Sequence, residues 1–507
     1  MVKTRSWQHH HMIRVVNQAV LAASEGIPNR GGHVIGEIVI DRGLLLQSHK
    51  SSGRRGRGTV VLTAAFVIAV AIWPAFLCLE CVEPDNSAPL LRVQDAELTY
   101  QISIEDGECV ARNATSGVIQ IADFNATLVI QWAIDNIPVG GGSLLFLPGE
   151  YVLNYSGRSQ NPACGYSLII SEQDPAIHLV GMPGANFTRG QNLPFNTALL
   201  LVRGKSYDAR LSPTTVEDIG FDGSNSSQPV WSDYADLTVV YASNVTIEAC
   251  SFCDSPFRSC QILRQLTGFA VLNSTFNQDT SRGVSLRVES HFGLIAGNTF
   301  IGNDSLVISS VSINPNDDTQ TPAEYVSVVN NTFIHGGRQL VMSGASNCTI
   351  HGNIFRDLLN PTGVSFTLNL YDATFRNWPS IYNKIDNNTF LNIPNAIAIA
   401  GSVALSVGSF HNDICDNMII AGPDVVGVRG IFEVQYADFN LIARNGFGGR
   451  WSVSTVSVIG ANTIVVDNYI IDEIPEIPHL ALPVAATMAT VWLVLASRPK
   501  PWFGRRW

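Results

Sequence analysis

Three arginines stand at nearly the same distance after a recurring phenylalanine. Arg258, Arg282 and Arg338 follow Phe252, Phe276 and Phe333 by six, six and five residues. Asp254 and Asp279 precede two of them, and Gln261, Ser285, Arg287, Glu289 and His291 lie close by. If the chain stacks these segments, the guanidinium groups form a row. Planar, forked donors of that kind grip carboxylate or sulfate groups of a polymer in bidentate fashion. The same spacing also fits a solvated charged face. A second candidate is the carboxylate pair Asp317 and Asp318, followed by His335. Inverting glycoside hydrolysis needs two carboxyls roughly 6.5–9.5 Å apart, and the Pro-flanked loop NPNDDTQTP does not by itself set that distance. A third set is aromatic: Tyr371, Phe375 and Trp378 in one long connection, and Trp231, Tyr234 and Tyr241 in an earlier one. These rings could stack on sugars or simply cover the surface beneath them. Metal chemistry is weakly signalled. Cys250, Cys253 and Cys260 include one C-x2-C, but no second pair or histidine pair accompanies it. Calcium suits the acidic composition, yet no ligand set with recognisable spacing is present.

The elements that must position these groups repeat. Nine phrases, from VTIEACSF ending at Phe252 to TIVVDNYI ending at Ile470, share one plan, at steps of 22 to 35 residues. A few β-branched or aliphatic residues lead to Asn, any residue, then Phe or Ile. Asn298, Asn331, Asn353, Asn388, Asn417, Asn445 and Asn468 hold the Asn position. Between phrases lies a second apolar strand, such as GVSLRV from Gly283 or AIAIAG from Ala396. Alternation and β-branching mark strands, and no helix-length pattern fits between them. A period of this size with short strands predicts a parallel β-helix solenoid. The Asn residues are expected to stack as a side-chain ladder at one corner, and the Phe and Ile residues to stack inside.

Upstream, Ala122–Asn154 reads as a helix starting at Asn125, with Leu128, Ile130, Ala133 and Ile134 as its apolar face, then a strand Ser143–Leu147, a Pro148-Gly149 turn and a strand Tyr151–Leu153. This stretch, with Gly140–Gly142 and the Pro-Gly-x-Tyr step, resembles the start of the pectate-lyase-like superfamily, as do HLVGMPGA from His178 and VEDIGFDGSN from Val216. The resemblance covers roughly residues 118–475. It implies a right-handed parallel β-helix whose N-terminal end is capped by a short helix. It is specific for fold rather than activity, since the superfamily holds lyases, hydrolases, epimerases, tailspikes and noncatalytic surface proteins. Polygalacturonases of that superfamily carry Asn-Thr-Asp, Asp-Asp, Gly-His-Gly and Arg-Ile-Lys motifs. Here Asp317-Asp318 and His335 stand at a similar interval, but Ile334 precedes the histidine and the flanking motifs are missing. Superfamily lyases use an Arg or Lys base with calcium-binding acids, which by resemblance points to Arg258 and Arg282 as catalytic candidates. The arginine row and the loop rings themselves offer Arg287, Arg338, Tyr371 and Trp378 as substrate contacts.

The ends differ from the middle. Residues 1–58 hold nine Lys/Arg against three Asp/Glu and read as a disordered basic arm. Thr59–Leu79 is 21 residues without a charge, long enough to span a bilayer, and the arginines before it put the N-terminus in the cytoplasm. It is either a signal anchor or the apolar part of a cleaved signal peptide. Residues 82–117 are a lead-in, 118–475 the β-helix, 480–496 a second apolar segment and 497–507 a basic tail. That second segment is a stop-transfer helix, a sorting tail or a buried capping helix. The whole chain carries a net charge of −11 although both ends are basic. The middle is therefore strongly acidic, which repels phosphate backbones and argues against nucleic acid as a partner. Asn-x-Ser/Thr triplets fall only between the two apolar segments. Asn113, Asn125, Asn154, Asn186, Asn225, Asn244 and Asn303 are glycosylation candidates; others, within the repeat phrase, are explained by coil geometry. The clustered cysteines are expected either to form a disulfide within a coil or to lie as buried thiols.

The sequence thus predicts an all-β solenoid displayed extracellularly or in the secretory lumen by one or two transmembrane helices. Two functions fit: binding or cleaving a polysaccharide, of uronate type if catalytic, or a noncatalytic structural or adhesive role.

Overall fold

The computed structural model describes residues 97–471, apart from 155–164, 192, 194–196, 205–211, 225–234, 256–257, 278–283, 303–308, 316–321, 337, 358–367, 372–378, 401–407, 423–426 and 435. The basic arm, both apolar segments and the basic tail lie outside these residues. Among the described residues no helix is long and apolar enough to cross a membrane.

The repeat phrases become a stack of parallel coils. One sheet has 12 strands, from Gly149–Leu153 to Tyr469–Ile471, each parallel to the next. The other two strand positions of each coil merge into a 28-stranded sheet, because strands such as Val284–Ala296 run through a corner without a break. The register is that of the phrase: Phe252, Phe276, Phe300, Phe333, Phe355, Phe390, Ile419, Phe447 and Ile470 are successive partners. From Phe221 to Phe390 neighbouring rings stack with centroids 4.6–4.9 Å apart and planes within 12°. Strand spacing sets this distance. Each buried ring is worth about 2–3 kcal/mol in area, with roughly 0.5–1.5 kcal/mol more per aromatic pair.

The asparagines form the expected ladder. From Asn298 to Asn468 each Nδ2 donates to the Oδ1 of the next asparagine at 2.9–3.0 Å. That Oδ1 also accepts the preceding asparagine's backbone N–H, and the second Nδ2 hydrogen goes to a strand carbonyl, as from Asn353 to Val328. The polar groups of a buried corner are thereby satisfied. The residue before each ladder asparagine has positive φ and is mostly Gly, Asn or Asp: Gly297, Asn330, Gly352, Asn387, Asp416, Arg444 and Asp467. These types suit a left-handed corner.

A second, shorter ladder lies at another corner, where Asn383 donates to Asn412 and Asn412 to Asn440 at 2.9 and 3.0 Å. It ends on Glu433, whose carboxylate accepts from Asn440 Nδ2, Thr463 Oγ1 and the backbone N–H groups of Ile459 and Gly460. Cysteines head both ladders. The Cys250 N–H reaches the first through Ser274 Oγ, and the Cys348 N–H donates to Asn383 Oδ1.

At the N-terminal end, Leu98–Glu105, Glu108–Asn113 and Ile119–Asp123 form an antiparallel meander, and the first of these also pairs in parallel with Gly142–Phe146. Helix α1 (Ala126–Asp135) follows, with Asn125 as its N-cap. Its buried face is Ala126, Val129, Ile130, Ala133 and Ile134. Leu128, expected on that face, is exposed, and Val129 takes its place. The reason is angular: 126, 129, 130, 133 and 134 follow the 3.6-residue period, and 128 falls opposite. Gln131 bonds both the C=O and the N–H of Ile169, and Thr127 Oγ1 both those of Asn154. The helix thus satisfies backbone groups of two strands. At the other end, Val465 and Ile470 are exposed, whereas Ile442 and Phe447, one coil earlier in the same rows, are buried.

Candidate functional site

The arginine row expected from sequence spacing does not form as counted. Strand register puts Val284, not Arg282, opposite Arg258. The turn after Phe276 takes two residues more than the one after Phe252, so equal offsets do not mean equal rows. Arg282 itself lies outside the described residues. Arg338 does fall in the row of Arg258, but three coils further on, with Val284 and Ser309 between. At one strand spacing per coil that is about 14 Å, too far to grip one carboxylate together.

Another row of the same strands is polar and, apart from the half-buried Arg287, buried. It runs Thr238, Gln261, Arg287 and Ser312. Gln261 donates from Nε2 to Thr238 Oγ1 at 3.1 Å and accepts from Arg258 Nη1 at 2.9 Å. Arg287 forms an ion pair with Glu289, two residues along the same strand, whose side chain is almost wholly buried. Both guanidinium groups are thus committed to protein acceptors. A buried, paired cation holds its surroundings in place and costs much to unpair. One coil away, Arg189 Nη2 lies 3.0 Å from Oδ1 of the fully buried Asp236, which also accepts from Ser255 Oγ. Burial pushes the Asp236 carboxyl upward and Arg189 opposes this. No sequence spacing announces that network.

Asp317, Asp318 and Trp378 lie outside the described residues, as does the side chain of Tyr371, whose backbone closes the strand Leu368–Tyr371. His335 sits at a corner with φ 58°, its Nδ1 3.0 Å from the Asp357 carbonyl. That nitrogen therefore carries the proton, and its partner there is a backbone oxygen rather than a carboxylate.

A different group of residues converges on the outer corner between the two strands that form the larger sheet. Phe292, Tyr325, Asn347, Tyr382, His411 and Phe439 occupy one position in successive coils, as fixed by their neighbours' register. All six have φ of 54–57° and all are exposed. The Phe292 and Tyr325 rings stack at 5.0 Å and 3°, the Tyr382 and His411 rings at 5.3 Å and 7°, and Phe439 lies 5.4 Å beyond His411. Each ring holds a left-handed conformation that costs an L residue other than Gly or Asn roughly 1–2 kcal/mol. Stacking offsets part of this. Beside the file, Ser346 Oγ donates to Glu324 Oε1 at 2.9 Å, and Lys384 Nζ lies 2.9 Å from Asp386 Oδ2. His291, next to Phe292, is 3.9 Å from Glu324, and burial pushes its pKa down against that carboxylate's pull. Sequence reasoning missed this file although the signal is there: each member stands eight residues before the phrase-ending Phe or Ile.

No protein-family model matches the chain, and no curated protein matches it. Solved structures do. PfbA, a surface adhesin of Streptococcus pneumoniae, aligns with a TM-score of 0.50 at 15% identity, over 67% of this chain and 85% of that one. The fold is a right-handed parallel β-helix of the pectate-lyase-like kind. A tailspike protein of an E. coli bacteriophage, in complex with a pentasaccharide, aligns at TM-score 0.49 and 13% identity over 73% of this chain and 65% of that one. A hyperthermoactive exopolygalacturonase from Thermotoga maritima aligns at 0.46 and 14% over 67% and 86%. At such identity the likeness speaks to fold alone.

The described cysteines Cys109, Cys250, Cys253, Cys260, Cys348 and Cys415 are thiols rather than disulfides. Cys250, Cys253 and Cys260 do not gather around a metal site. Cys253 instead meets Asp222 and Asp254, with ligand atoms within 4.8 Å of one another. Burial raises the Cys109, Cys250 and Cys348 thiols to about 12. Among the candidate glycosylation sites, Asn186 is exposed, whereas Asn125 is engaged as the helix cap and Asn113 accepts three local hydrogen bonds. Asn154 and Asn244 are half-buried, and Asn225 and Asn303 lie outside the described residues.

Proposed function

We propose that this β-helix is a surface-displayed polysaccharide-binding protein. The observation that carries the reading is the exposed aromatic file at the left-handed corner, Phe292, Tyr325, Tyr382, His411 and Phe439. Coil geometry is served better there by Gly or Asn, as the other corner demonstrates. Rings held at a strained, solvent-facing position suit a ligand with apolar faces and polar rims, and a sugar chain running along the coils has both. The solved structures with this fold include a surface adhesin and a tailspike holding a pentasaccharide, which is consistent with such a role. In this reading α1 closes the N-terminal end of the coil, and residues 59–79 hold the domain outside the membrane, with 480–496 as a second anchor. Among the candidate sites, the exposed Asn186 would then be open to glycosylation. The acidic middle of the chain makes nucleic acid a poor partner.

The test is affinity electrophoresis of the full chain through gels that contain neutral or uronate polysaccharides. Retardation by at least one polymer supports the reading; free migration through the whole panel refutes it.

A further inference from the structure

The aromatic file has a gap, and we infer that the gap is a subsite for one ring of a neutral sugar. This rests on the polysaccharide-binding reading and adds where the sugar sits and which class it belongs to. Glu324 partners Ser346, which partners Ile381, so Tyr325, Asn347 and Tyr382 follow one another in the file. The two tyrosine rings are therefore two strand spacings apart, about 9.5 Å. A ring placed midway would lie about 4.8 Å from each, close to the 5.0 and 5.3 Å of the pairs that the file does form. Asn347 does not fill that space, since its side chain ends at the carboxamide, about where a tyrosine ring begins. Both walls are open to solvent, Tyr325 at 38% and Tyr382 at 56% exposure. Among the described residues the Asn347 carboxamide and the two phenol groups make no side-chain hydrogen bond, so donors and acceptors line a slot with apolar walls. Flat apolar walls with a few convergent polar groups are the usual make-up of a sugar or cofactor site.

The charge at the slot selects the sugar. The Glu324 carboxylate, bonded to Ser346, stands beside both Tyr325 and Asn347 in the coil. Lys384, two coils from Glu324, is paired with Asp386. His291, 3.9 Å from Glu324, is pushed by burial toward its neutral form, so the carboxylate at the mouth keeps its negative charge. On a chain of net charge −11 it repels carboxylated and sulfated sugars and accepts hydrogen bonds from neutral hydroxyls. The preference is thus opposite to the uronate class that the arginine row suggested.

The experiment uses the full chain in affinity gels that contain a neutral β-glucan, a galactomannan or polygalacturonate. Asn347→Tyr extends the stack into the slot at a φ that Tyr325 and Tyr382 already hold. It should weaken binding of the neutral polymer at least tenfold while leaving the melting temperature unchanged or higher. Tyr382→Asn, which removes a wall, provides the same readout if the first variant does not fold. Glu324→Gln should raise retardation by polygalacturonate and leave the neutral polymer nearly unaffected. If the wild-type chain binds a neutral polymer and Asn347→Tyr and Tyr382→Asn bind it equally well, the slot is wrong while polysaccharide binding stands. A wild-type preference for polygalacturonate overturns the neutral assignment. No binding to any polymer removes the wider reading as well.

Discussion

Two corners of the same coil place a residue at positive φ in turn after turn, and they fill it differently. At the corner before the long asparagine ladder, that residue is Gly297, Asn330, Gly352, Asn387, Asp416 or Asp467, with Arg444 the exception. At the corner of the aromatic file it begins as Asn244 and Gly268 and continues, from the third coil of the row, as Phe292, Tyr325, Asn347, Tyr382, His411 and Phe439. The first choice minimises backbone strain and sits over a buried, fully bonded row. The second keeps the strain and turns rings to water. The difference separates what the solenoid needs to stand from what it presents to a partner.

The comparison can be broken most forcefully from the ladder side. Asn353→Ala deletes bonds to Val328, Asn388 and the Asn331 amide, and leaves buried groups unpaired. A loss of roughly 2–4 kcal/mol is expected, read as a lower denaturant midpoint with an unchanged slope. Tyr382→Asn at the aromatic corner should change stability by less than about 1 kcal/mol, because relief of the left-handed strain offsets the lost stacking. A large loss there would mean that the file is structural.

Thiol reactivity sharpens the contrast. Cys250 and Cys348 head the two ladders with thiols raised to about 12 by burial. They should resist alkylation in the native protein at pH 8 and react only on unfolding, whereas the half-exposed Cys253 reacts first. Native labelling of Cys348 would show that the shorter ladder opens locally.

The smallest expected effect is at His291, beside the file. Its folded-state pKa is depressed, by burial first and against the pull of Glu324. A base depressed in this way adds stability that is complete above its unfolded value, about 6.5. That stability is lost as pH falls through the unfolded value toward the lower folded one, since the unfolded chain then binds more protons. Melting temperature followed from pH 7.5 to 5 should fall less in His291→Asn than in the wild type.

Legibility followed repetition. The Phe stack and the long ladder could be read because one residue type recurs two positions apart at the end of each phrase. The aromatic file obeys an equally fixed offset of eight residues, yet it mixes Phe, Tyr, Asn and His, so no single letter marks the column. The shorter ladder was hidden for a similar reason, with Cys348 in the place that Asn383, Asn412 and Asn440 hold in later coils. The arginine row failed because it was counted forward across turns of unequal length, where sequence distance and strand register part. Leu128 was placed on the buried stripe of α1 where Val129 belongs; one residue along a helix is a turn of about 100°, enough to carry Leu128 off a stripe centred on Val129, Ile130, Ala133 and Ile134.

The most direct measurement is the affinity of the full chain for a neutral polysaccharide in three forms: wild type, Tyr325→Asn with Tyr382→Asn, and Asn387→Gly at the other corner. The account predicts that the double variant loses at least tenfold in affinity at an unchanged melting temperature, while Asn387→Gly binds as the wild type does. Equal binding by all three, or equal loss in the double variant and Asn387→Gly, would contradict it.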